Sequence, residues 1–405
     1  MSSTPPYRPI LGHQAGLTIL ATGTIKFAES KRIFDRMFSD GDRSDYDRWY
    51  RAQITYRHEV VHFLQTFTTA KIFQYCERLR MAANEFQKWL GNKERDAAAL
   101  KTLSSGLAAL ERDLERETGS DPTGEGGVSA RQLMEASAVL ESLRSLTPSS
   151  LQITQLLDAI PQANRRLYGR VIGIMACAFS PSVILNLTPA LVYLSLNAED
   201  SGRMFCGLVR TLGSLPISAV ERITPAELLD SYVGNEKKSL ISMFAAGERL
   251  SVSPFWNELG SAFAKCGSID LLHRVAAYPS SLLTESNWSL QLDDRIKQVM
   301  PPIFMFEDGH GQICGLARSF SDETIRQLLC ANAMIGAMYR VARNDDYYNF
   351  CGQHECPAYS YALCHMAYPL PPPPHGDWRQ CCALRSFEEL TGNAFQTFAQ
   401  DHLDA

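Results

Sequence analysis

The chain has 405 residues, 45 % hydrophobic and 20 % charged, which is the make-up of an ordinary globular protein long enough for two or three domains. A net charge of −5 leaves no basic footprint and excludes a nucleic-acid-binding reading. Eleven cysteines, an odd number in so long a chain, speak against a disulfide scaffold and for a reducing, cytoplasmic setting.

From its start, Met1 to Pro9 shows no basic run followed by an apolar stretch, so no secretory leader is expected. Gly16 to Phe27 is rich in β-branched residues and interrupted by Gly23, which predicts one long or two short strands. Ser44 to Thr66 follows without an internal Pro or Gly, with Ser44 and Asp47 as start signals, and reads as one continuous helix. On it Ile54, His58, Val61, His62 and Gln65 fall along one stripe.

That helix carries His58-Glu59-Val60-Val61-His62, the H-E-x-x-H arrangement. A spacing of four sets both imidazoles on one helical face, one turn apart, where they can give two nitrogen ligands to a single Zn²⁺. Glu59 follows the first ligand and is placed to take a proton from water attacking a carbonyl. Hydrolysis of an amide is the chemistry this pattern suggests.

In these residues the chain resembles the zincin metallopeptidases. The resemblance implies that His58 and His62 are zinc ligands and Glu59 the general base. It also implies a sheet beside the active-site helix, whose edge strand pairs with an extended peptide substrate. The metzincin continuation x-x-Gly-x-x-His meets Gln65 and Thr68 here, which excludes that branch. The gluzincin branch takes its third ligand from a glutamate on a later helix.

Between Phe73 and Glu117, Leu100, Leu103, Leu107, Leu110 and Leu114 form a heptad seam. Leu79, Phe86 and Leu90 offer a partner stripe and Gly91-Asn92 a turn, so an antiparallel helical hairpin is expected. It would serve as a lid, as a docking arm for a protein partner, or as a packed embellishment. Gly119 to Gly127 reads as a flexible glycine-rich link.

Ser129 to Leu143 is the next helix, opened by a capping box of Ser129 and Gln132. Glu135 stands alone there in an uncharged run with Ala136 and Ala138, and a lone carboxylate in an apolar helix is costly to bury unless paired or bound to metal. This helix resembles the gluzincin third-ligand helix, which implies Glu135 as the third ligand, with Glu141, Asp121 or another residue as alternatives.

Val171 to Ala198 has no charged residue. Ser180-Pro181-Ser182 and Asn186-Leu187-Thr188-Pro189 divide it into pieces too short to span a bilayer, so two buried helices are expected and no membrane association. Leu191 to Leu212 and Pro225 to Ala246 read as further amphipathic helices, with Asp200-Ser201-Gly202 and Ile223-Thr224-Pro225 as punctuation, and Ile303 to Ile313 as a β-hairpin around Asp308-Gly309. His310 at that tip, with His273, Tyr168 and Tyr339, is a candidate donor to an oxyanion.

Cys351, His354, Cys356, Cys364, His365, His375, Cys381 and Cys382 form a Cys/His-rich segment where a second, structural zinc is conceivable. Pro369 and Pro371 to Pro374 make a stiff spacer before a last helix, Ser386 to His402.

The expected fold is α+β and mostly helical, a zincin-like core with a small N-terminal sheet, an inserted helical hairpin and a helical C-terminal region. Residues 1–72 would hold the sheet and motif helix, 73–124 the hairpin, 125–215 the rest of the core with the third-ligand helix, and 216–405 a helical domain with segment 351–382. The expected function is zinc-dependent hydrolysis of a protein or peptide substrate, narrow specificity for one cellular protein included. The alternative is a non-catalytic zinc-binding protein that docks a partner through the hairpin at 73–117.

Overall fold

The computed structural model describes residues 16–27, 46–91, 96–124, 126–144, 160, 162–225, 227–229, 231, 303–306, 313–315, 335 and 338. Within them the protein is mostly helical, with one small sheet. Strand β1 (Gly16–Ile19) and strand β2 (Thr24–Phe27) are antiparallel, pairing Gly16 with Phe27 and Ile19 with Thr24. The expected break at Gly23 is the turn between them. Its φ of 64° suits glycine, and the Thr22 and Gly23 N–H groups both donate to the Ile19 carbonyl.

The predicted hairpin after residue 303 is present as β3 (Ile303–Phe306) and β4 (Ile313–Gly315). Strand β3 adds parallel to β2, so the order is β1-β2-β3-β4 with β1 at one edge. Ile25 and Phe27, two apart on one face of β2, are buried. Phe27 stacks on Tyr56, ring centroids 6.4 Å apart, which lays the sheet against the motif helix.

Helix α1 (Tyr46–Thr68) contains the motif and α2 (Ala70–Gly91) follows after one non-helical residue, Thr69. The start of α2 is satisfied from a distance: Asn197 Oδ1 accepts from the Ala70 N–H at 2.8 Å. Helix α3 (Ala97–Glu115) is capped by Asp96, whose carboxylate accepts from the Ala98 N–H.

Lys71 at the head of α2 pairs with Asp113 at the tail of α3, while Trp89 near the tail of α2 donates to the Asp96 carbonyl at the head of α3. The two helices are therefore an antiparallel hairpin. Leu107 and Leu114 of the heptad seam are buried with Leu79 and Phe86, whereas Leu100, Leu103 and Leu110 remain half-buried. Ile72 and Cys76 join α2 to the main core.

That core is centred on α4 (Ala130–Arg144), α5 (Arg170–Ala178), α6 (Pro181–Leu196) and α7 (Ser201–Gly213), with the short α8 (Ile217–Val220) beyond. The uncharged run is two buried helices as expected, parted at Phe179–Ser180. The second break is not there: α6 continues through Pro189, buried from Leu187 to Val192. Burying each large aliphatic side chain there contributes roughly 1.5–3 kcal/mol, which outweighs the donor that proline lacks. Among the described residues no helix is long and apolar enough to cross a membrane.

The break expected at Asp200-Ser201-Gly202 parts α6 from α7, where the Asp200 carboxylate caps the new helix by accepting from the Arg203 N–H. One further expectation needs correction. The glycine-rich link is a closed loop. Thr118 and Val128 exchange both backbone hydrogen bonds, Asp121 accepts from Thr123 and pairs with Arg170, and Gly119, Gly124 and Gly126 take positive φ.

The loop closes onto α7 where Gly202 has no side chain. A Cβ there would overlap the Val128 carbonyl oxygen and lie 2.5 Å from that of Thr118. Gly202→Ala is therefore expected to destabilise the protein by about 1–3 kcal/mol, read as a lower urea midpoint; an unchanged midpoint would show that the loop is not closed in solution. Most of Pro225 to Ala246, the Cys/His segment 351–382, the proline stretch and the helix expected at 386–402 lie outside the described residues.

Candidate metal centre

Helix α1 sets His58 and His62 one turn apart with their rings edge to face, centroids 4.7 Å apart and Nε2 atoms 3.1 Å apart. Helix α4 crosses opposite. Its start is fixed by the predicted capping box: Ser129 Oγ accepts from the Gln132 N–H, and Gln132 Oε1 accepts from the Ser129 N–H. Less than two turns later Glu135 Oε2 lies 3.2 Å from His58 Nε2 and 3.3 Å from His62 Nε2. Ligand atoms of the three residues all fall within 4.8 Å of one another.

The tautomer of His62 follows from one glutamine. Gln65 Nε2 donates to the Met134 carbonyl at 3.2 Å, so its Oε1 is the acceptor facing His62 Nδ1 at 3.0 Å. His62 Nδ1 therefore carries a proton, and its Nε2 faces His58 and Glu135. Gln65 thus orients one ring and ties it to the residue preceding Glu135, the kind of support that metal-binding histidines receive. Gln65→Ala is expected to weaken zinc affinity about 10–100-fold with the helices intact, measured by chelator competition; unaltered affinity would remove the glutamine from the site.

The donor set fits a divalent cation. Two imidazole nitrogens and a carboxylate oxygen converge where their side chains are 18, 8 and 15 % exposed. Glu135 Oε2 is buried and has no hydrogen-bond partner, and the two imidazole nitrogens stand 3.2 and 3.3 Å from it. An acceptor left bare at such a point is costly unless a cation takes up the lone pairs.

The local field agrees. Burial disfavours charge on His62, yet the adjacent Glu135 carboxylate, then the Glu59 carboxylate and the Gln65 acceptor, hold its pKa up at about 9. Burial likewise opposes ionisation of Glu135, and the two histidines overcome it and keep its pKa well below the usual carboxylate range. The cluster stabilises positive charge at its centre.

Glu59 is buried on the side of α1 that faces β1, where Thr18 Oγ1 lies 2.7 Å from Glu59 Oε2. On another side Tyr168 approaches His58, ring centroids 6.3 Å apart. Tyr168 sits on a π-helical turn, Arg165–Gly169, which Gln132 holds by donating to the Arg166 carbonyl at 3.0 Å. Burial, then the Glu135 and Glu59 carboxylates, push this phenol up to about 12, so it remains a donor at neutral pH.

The structure therefore brings His58, His62 and Glu135 together, with Glu59 and Tyr168 beside them. Asp121, an alternative third ligand, is committed to Arg170, and Glu141 lies nearly two turns further along α4. His310, His273 and Tyr339 lie outside the described residues. Gly16, Thr18 and the bridging role of Gln65 were not found from sequence. Gln65 had a signal, three residues from His62 on the same stripe; Thr18, 41 residues from Glu59, had none. Compared with family models, with curated proteins and with solved structures, the chain matches none of them.

Proposed function

We propose that the protein is a zinc-dependent peptidase with a gluzincin-like arrangement, in which His58, His62 and Glu135 hold the metal and Glu59 is the general base. The observation that carries this reading is the meeting of two imidazole nitrogens with a buried, unsatisfied carboxylate oxygen of Glu135, with a second carboxylate, Glu59, fixed one residue from the first histidine. Zinc bound there supplies Lewis acidity that polarises a carbonyl and lowers the pKa of water.

The protein's own side chains do the rest. Glu59 accepts the proton of the attacking water and returns it to the departing amine. Tyr168, protonated at neutral pH, donates to the substrate carbonyl oxygen as negative charge grows there. Strand β1, at the sheet edge against α1, offers a pairing edge for an extended peptide. Cys76, Cys177 and Cys206 are unpaired, which suits a reducing compartment such as the cytoplasm.

A separate observation favours the second reading, a non-catalytic zinc protein that docks a partner. Helices α2 and α3 enclose a groove of about 600 Å³, lined by Ala82, Trp89, Leu103, Leu107 and Leu110. Fluorescein-casein separates the two. Hydrolysis by the full-length protein that stops with 1,10-phenanthroline and returns with zinc supports the peptidase, whereas bound zinc without hydrolysis of casein or of the protein itself supports the binder.

A further inference from the structure

We propose that Thr18 is the positioning residue for Glu59, and that Gly16 leaves the space in which the Glu59 carboxylate sits. This rests on the reading of Glu59 as general base. Gly16 and Thr18 alternate along β1 and so share the face turned to α1. Thr18 Oγ1 lies 2.7 Å from Glu59 Oε2 and 3.0 Å from the Glu59 carbonyl oxygen. The hydroxyl has one proton, and the carboxylate is the stronger acceptor, so the charge-assisted bond is the dominant one.

The other oxygen is governed by Gly16. A Cβ at that position would stand 2.8 Å from Glu59 Oε1, 2.7 Å from its Cγ and 2.7 Å from Thr55 Cγ2. Any side chain there would push the carboxylate out of place. Helix α1 sets the two histidines one turn apart, and Gln65 orients the His62 ring. The helix does not fix Glu59, whose side chain has three rotatable bonds. The sheet edge completes the placement, one carboxylate oxygen tied by a hydroxyl and the other lodged over a glycine.

Reactions of this kind lose much of their rate when the base is misplaced by a fraction of its hydrogen-bonding distance. Thr18→Val keeps the shape and removes the donor. In the full-length zinc-loaded protein, with a fluorogenic peptide built on the casein bond it cleaves fastest, kcat is expected to fall about tenfold or more, with KM, zinc stoichiometry and melting temperature close to wild type. Thr18→Ser should recover most of that loss. In a Glu59→Gln background the valine should change kcat by less than about twofold, since the group it positions is already gone.

A readout independent of turnover is the crystal structure of Thr18→Val, in which the Glu59 carboxylate should leave β1 while His58, His62 and Glu135 keep their places. Wild-type hydrolysis with undiminished kcat in Thr18→Val, or an unmoved Glu59 in that crystal structure, overturns the positioning role and leaves the peptidase reading standing. A wild type that binds zinc and cleaves nothing overturns the peptidase reading instead.

Discussion

Glu59→Gln is expected to retain one zinc at the α1 site and to lose kcat by at least about 10²-fold, the usual cost of removing a general base. The substitution suits the site because glutamine matches the size of the side chain that β1 encloses. Its amide oxygen can still accept from Thr18 at the position of Glu59 Oε2. What it lacks is a basic oxygen to take the proton of water. KM should change little, because a defect confined to proton transfer appears in the transition state and not in substrate binding. Zinc by mass spectrometry and kcat on casein test the two halves together, and a variant with wild-type kcat would refute the role.

The second large effect is on the metal. Glu135→Gln keeps the volume and removes the charge that holds His62 and its partner ring in a cation-favouring field. It also replaces the bare buried Oε2 with a neutral group. Zinc affinity should fall by at least about 10²-fold, beyond the 10–100-fold range expected for an outer-shell residue such as Gln65. His62→Ala should do the same by removing a nitrogen ligand.

Stability supplies the control. A ligand present at about 100 times its Kd stabilises the folded state by about 2.7 kcal/mol. Chelation should therefore lower the melting temperature of the wild type and leave that of Glu135→Gln unchanged. Equal zinc affinity in variant and wild type would place the metal elsewhere.

Much of this site was legible because its decisive patterns are local. The spacing of His58 and His62, and the box of Ser129 and Gln132, each lie within one helical turn, where sequence distance and spatial distance agree. Glu135 was reachable by chemistry, since a lone carboxylate in an apolar helix calls for a partner. The helical hairpin was equally open to reading from its leucine seam.

The contacts that complete the site cross the chain. Thr18 meets Glu59 over 41 residues, and Gln65 meets Met134 over 69. Neither threonine on a strand nor glutamine on a helix face announces such a bond. The glycine-rich loop misled for the same reason, because its composition reads as freedom while its closure depends on Gly202, far along the chain. Pro189 misled differently: local propensity marks a helix end, and burial of the surrounding α6 side chains overrides it.

The most direct test of the central claim is anomalous diffraction at the zinc absorption edge from crystals of the full-length protein. The account predicts a single peak bound by Nε2 of His58, Nε2 of His62 and a carboxylate oxygen of Glu135, each at about 2.0–2.2 Å. Zinc-replete crystals with no peak between these three side chains, or with one held by a fourth protein ligand that closes the site, would contradict it.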